Sequence, residues 1–139
     1  MKPTPFNSKT DLPPIPFDLR HCQAAAQLKE RGLPWTPHVG CFVWDPDEIM
    51  EVTSPFPNRI YFILNLGHFL RIFGSLEKIS RKLVWLPTYH QACLLCDQVG
   101  VDQEEVSALL ASADNIRAGE ELLVLYKMIL SKLEASNNH

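Results

Sequence analysis

The chain has little of what most active-site sequence signatures are built from. Its 139 residues include only six glycines. None sits in a dinucleotide fingerprint, a phosphate-binding loop or a Gly-x-Ser-x-Gly elbow, and no twelve-residue calcium loop is present. Four cysteines are too few and too scattered for the disulfide framework of a small secreted domain. Positive charge is not in excess. Thirteen Lys and Arg against sixteen Asp and Glu give a formal charge of −3, so the whole molecule has no attraction for nucleic acid or an anionic membrane. Apolar runs are short, as from Ile60 to Leu64, far below the roughly 20 residues of a membrane span. The opening "MKPTPFNSKTDLPPIPF" has no apolar signal-peptide core. These absences predict a cytoplasmic protein with its cysteines as thiols.

What is present suits one ordinary domain, with 46% apolar and 21% charged residues. Residues 1–16 hold five of the eleven prolines and read as an extended arm, followed by a single domain over 17–135 and a short tail at 136–139. Asp18 caps a first helix whose apolar stripe is Leu19, Cys22, Ala26 and Leu28. Gly32 and Pro34 end it. Residues 38–44 read as a strand, Asp45-Pro46-Asp47 as a turn, and 48–52 as the returning strand. Residues 59–64 read as a central strand, 65–74 as a short helix, and Ser75 caps another over "LEKISRK". After a strand at 83–87 the chain is helical. Thr88-x-x-Gln91 has capping-box spacing, Gly100 closes that helix, and Asp102-x-x-Glu105 opens the next, with Val106, Leu109, Leu110 and Ala113 inward. The last helix starts with Glu120 and Glu121 and carries Lys127 and Lys132 later, as the helix dipole prefers. The class expected is α+β, a small mainly antiparallel sheet flanked by an N-terminal helix and a C-terminal group of helices.

A helix ending in "LKERGLP", a strand-rich insert, and "WLPT" opening a helix that ends at Gly100 form a recognisable order. It resembles a loose group of small, uncharacterised bacterial and phage open reading frames with a helix–GxP–strands–PT–helix layout. The resemblance implies an α+β layout over residues 18–100 and supplies no activity and no catalytic residue.

Four constellations bear on function. Cys93-x-x-Cys96, with His90 one turn upstream, offers two soft ligands on one helix face, and zinc is the metal they suit. No second close pair completes such a site unless folding brings Cys41 or His38 near. The same spacing fits a buried stripe of Tyr89, Ala92, Cys93, Cys96 and Val99, because free cysteine packs as a small hydrophobe. A Cys–His nucleophile lacks an orienting group and oxyanion donors. The acids Asp45, Asp47, Glu48 and Glu51 suit a hard cation or an acid–base pair, but the turn itself is the favoured reading.

Residues 58–82 carry five cations against one acid, and Arg71, Lys78, Arg81 and Lys82 form a candidate phosphate-contacting patch on an otherwise acidic chain, a balance that argues against nucleic acid. Finally, "LLVLYKMIL" is apolar nearly all round. A helix with one wet face does not need this, so either it is buried within the domain or Leu122, Leu125, Tyr126, Ile129 and Leu133 meet a second copy of the chain. The function ranked first is a non-enzymatic interaction or accessory module that associates with itself or an unknown protein partner, without cofactor. A metal-binding protein or enzyme using His90, Cys93 and Cys96 is the alternative, and a nucleic-acid accessory protein the third.

Overall fold

The computed structural model of the chain describes residues 7, 9–110 and 120–137. In it the expected α+β class is realised as six helices and one three-stranded sheet: α1 (Leu19–Glu30), β1 (Phe42–Trp44), β2 (Ile60–Phe62), α2 (Leu66–Phe73), α3 (Leu76–Lys82), β3 (Val84–Leu86), α4 (Tyr89–Val99), α5 (Gln103–Leu110) and α6 (Glu120–Asn137). The strands are antiparallel in the order β2-β1-β3. Phe42 stands opposite Phe62 and Leu86, and Val43 opposite Tyr61 and Trp85.

This register gives the sheet two covered faces, because successive side chains point to opposite sides. Ile60, Val84 and Leu86 join the core formed with α1, α4 and α6. Val43, Tyr61 and Ile63 join a second core with Phe69 and Phe73 of α2 and Ile79 of α3. The sheet therefore divides the interior into two apolar compartments, and each strand supplies residues to both.

Two readings are corrected. The central strand is β1, whereas residues 59–64 supply an edge strand of only three residues. Residues 48–52 form no strand; the buried Asp45 carboxylate organises them as a loop instead. It accepts from the amides of Ile49 (3.0 Å) and Met50 (2.9 Å) and pairs with Arg59 at 2.9 Å. A carboxylate that bonds following amides outcompetes a hairpin ladder over so short a span.

The caps fall where the side-chain chemistry places them. Asp18 accepts from the amides of Arg20 and His21, Asn65 from His68, Ser75 from Lys78 and Thr88 from Gln91. Gly100 closes α4 at φ 85° and ψ 26°, a left-handed conformation costly for residues with a Cβ. On α1 the buried face is His21, Cys22, Ala24, Ala25 and Leu28, while Leu19 is half exposed.

Candidate functional site

Helix α6 is the interior of the larger compartment. It packs against both α1 and α4, and Leu122, Leu125, Tyr126 and Ile129 are 0–2% exposed within the single chain. The Tyr126 hydroxyl donates to the Pro87 carbonyl, fixing α6 to the turn before α4. The apolar circumference thus has an intramolecular cause. Of the two readings of this helix, the internal one fits these four residues, since none reaches the surface of the single chain. Leu133, further along, is partly buried against the same core.

The thiols divide in a similar way. Cys22 and Cys41 are fully buried and Cys96 nearly so, while Cys93 is partly exposed and His90 lies on the surface. Burial pushes the Cys22 thiol up to about 12, helped by the Asp18 charge, and pushes Cys96 up to about 11. Cys41 belongs to the compartment on the other side of the sheet from Cys96, so folding does not bring those two together. His38 is exposed, with Nδ1 2.8 Å from its neighbour's carbonyl at Val39. Among the described residues no three His, Cys, Asp or Glu side chains gather as a metal site. Asp45 is committed to the loop and Arg59, and Asp47, Glu48 and Glu51 face solvent.

The basic patch is partly assembled. Lys78, Arg81 and Lys82 line a shallow cleft of about 390 Å³ with Ile49, Ile72 and Phe73. Arg71 stands apart in a different groove. Arg81 also reaches Glu77 at 3.9 Å, a surface pair that dilutes the local positive charge.

That second groove, which includes Arg71, has the most distinctive geometry in the fold. It holds about 540 Å³ and runs along the outer edge of β2, between the 50–56 loop and the start of α2. Its walls are largely apolar: Val52, Pro55, Phe56, Phe62 and Leu64. Three of them are unusually open, with Val52 52%, Phe62 38% and Leu64 74% exposed. His68 and Arg71 line it as well. The backbone contributes as well. Asp45 donates its amide to Arg59, and Ile63 donates to Cys41, so the ladder between β1 and β2 uses the odd-numbered residues of β2. Peptide groups of Ile60 and Phe62 therefore point away from β1. Those of Ile60 are occupied, its amide by the Pro57 carbonyl and its carbonyl by the Ser54 hydroxyl. Phe62 presents its N–H and C=O along the open edge of the sheet.

Behind the groove the structure is braced. The Tyr61 hydroxyl donates to the Val52 carbonyl at 2.6 Å, and Arg59 holds the Met50 carbonyl at 2.5 Å. Phe62 packs on Phe42 with ring centroids 4.9 Å apart, and Phe42 in turn touches Phe17 and Phe56. The reading of 48–52 as a strand hid this site, because a paired strand there would have covered the edge. The one signal in the sequence was the alternation of Phe62 with Leu64 on one side of a strand too short to bury both.

No family model, no curated protein and no solved structure matches the chain.

Proposed function

We propose that the chain is a non-enzymatic interaction module that docks an extended segment of a partner protein along β2. The observation that carries this reading is the Phe62 peptide group, without a backbone partner among the described residues, beside an apolar groove that Arg71 also lines. An extended peptide satisfies all of it at once. Its backbone pairs with Phe62, alternate side chains enter the pocket between Phe56, Phe62 and Leu64, and an acidic residue or terminal carboxylate meets Arg71 and His68. The volume lies within the range of specific ligand sites. Exposed apolar surface beside an unpaired strand edge is a hazard that sheets usually suppress with charge or cover, so keeping it bare suits an occupied edge.

The test uses fluorescent heptapeptides that alternate apolar and polar residues, each ending in aspartate or in an amide. The expected result is binding tighter than about 100 μM for the acidic set, weakened by Phe62→Lys and, for that set alone, by Arg71→Ala. No saturable binding by any member overturns the reading. Self-association, expected earlier through α6, would use this same edge, two β2 strands pairing around a twofold axis. Sedimentation shows which holds: a monomer at tens of micromolar supports a foreign segment, and a dimer abolished by Phe62→Lys supports a second copy.

A further inference from the structure

Lys78, Arg81 and Lys82 stand at positions i, i+3 and i+4 of α3, a spacing that puts the second and third on one helix face with the first, their Cβ atoms about 5–6 Å from that of Lys78. All three line the cleft of about 390 Å³ whose other walls are Ile72 and Phe73 at the end of α2 and Ile49 of the loop that Asp45 organises. Their side chains are exposed and long enough to turn onto one bound anion. Few acids balance them. Glu77 reaches Arg81 at 3.9 Å, and among the described residues neither Lys78 nor Lys82 has an ion-pair partner. A fourth cation is close. The Lys29 ammonium donates to the carbonyls of Arg81 and Leu83, where α3 ends. Burial lowers Lys29 below its ordinary range, and the charge of Lys82 adds to this while Asp47 opposes it. Like charges thus crowd around one short helix, and an anion relieves their repulsion.

The apolar walls narrow the choice of anion. Ile72 is exposed, Ile49 half-buried and Phe73 nearly buried. Inorganic phosphate would leave this surface wet, and an uncharged hydrocarbon would leave the cations uncompensated. A carboxylate brings one negative charge, whereas a phosphomonoester brings close to two and three acceptor oxygens. We propose that the cleft binds a small phosphomonoester carrying a short hydrocarbon group, its phosphate on Lys78, Arg81 and Lys82 and its hydrocarbon over Ile49 and Ile72. The volume lies in the range of small-ligand sites. A nucleic acid suits the cleft less well, because base stacking needs an open aromatic face and Phe73, the aromatic in the lining, is nearly buried. The cleft shares no lining residue with the β2 groove, so the two sites stand or fall separately.

The experiment is an amide ¹H–¹⁵N titration of the intact protein with hexyl phosphate, inorganic phosphate and hexanoate at matched ionic strength. The expected result is a saturable shift of the signals of residues 72–82 with hexyl phosphate, while those of Phe62 and Leu64 stay fixed. Hexyl phosphate should bind about ten-fold or more tighter than either comparison compound. Lys82→Gln should weaken it about five-fold or more. Lys127→Gln removes one exposed charge from α6 and should leave the affinity unchanged. Ile72→Ser should bring hexyl phosphate toward the affinity of inorganic phosphate. Each variant changes an exposed side chain, so the fold is kept. No saturable shift with hexyl phosphate, equal affinity for inorganic phosphate, or equal weakening by Lys82→Gln and Lys127→Gln overturns the site. Phosphatidic acid vesicles and a short oligothymidylate present the same phosphate from other sources. If either binds through Lys82 while hexyl phosphate does not, the small-ligand site is overturned and the patch belongs to a membrane surface or a nucleic acid.

Discussion

At the scale of single residues, the chain spends its polar groups on local closure. Asp18 shows the balance of forces. Burial pushes its carboxyl up, but hydrogen bonds from Arg20 and His21 and the adjacent imidazole more than offset this and hold it at about 2, below the ordinary 3.8. Because the folded value lies below the unfolded one, this contribution is complete above pH 3.8 and disappears as the pH falls toward 2. Asp18→Ala removes the cap of α1 and should cost about 1 kcal/mol near neutral pH. In urea titrations the gap between wild type and variant should close between pH 4 and pH 2, roughly the window set by those two values. The thiols give a second residue-scale prediction. Cys93 should react with a small thiol reagent in the folded protein, whereas Cys22, Cys41 and Cys96 should react only on unfolding, as mass spectrometry of the labelled chain would show. The sequence showed the caps plainly, since Asp18, Ser75, Thr88 and Gly100 act through neighbours three or four residues away. It could not show Trp35 beside Trp85, because a fifty-residue separation leaves no periodic trace.

Among the elements, the helices were legible and the sheet only in part. Helical periodicity is repeated over several turns; 65–74 was read as a helix without a named cap, and the 75–82 and 88–100 segments were read with their caps in place. The strands are three residues each, too short for alternation to tell a centre from an edge. Residues 48–52 were misread as a strand because the organiser of their loop is a buried carboxylate acting at a distance, through Arg59, which itself adopts a left-handed φ of 59°. Asp45→Ala should therefore cost about 3 kcal/mol, by leaving two amides and the guanidinium without their acceptor, and chemical denaturation would measure it. α6 was read as apolar all round, with burial inside the domain and contact with a second copy left as alternatives, because the number of elements able to surround it depends on topology. The inward face predicted for Leu109, Leu110 and Ala113 concerns side chains outside the described residues. Leu125→Ala, which truncates a fully buried side chain, should destabilise by about 3 kcal/mol without changing the sedimentation coefficient. A change of oligomeric state would restore α6 to the surface.

For the molecule as a whole, a sheet of three short strands separates two apolar compartments and leaves each outer edge with a distinct surface. The β3 edge is covered by α1 and holds the paired indoles. At the β2 edge, the Phe62 peptide group has no backbone partner among the described residues, and the groove beside it is apolar and lined also by Arg71. No helix among the described residues is long and apolar enough to cross a membrane. The proposed occupant of the exposed apolar surface at Val52, Phe62 and Leu64 is a protein segment in extended form. Amide hydrogen exchange at Phe62, measured with and without a saturating acid-terminated heptapeptide, tests this most directly. Strand addition predicts that the Phe62 amide exchanges freely in the unbound protein and slows at least about ten-fold when the peptide binds, while the Val43 and Ile63 amides, already in the ladder, stay protected throughout. A peptide that binds yet leaves the Phe62 amide exchanging as before would contradict docking along β2.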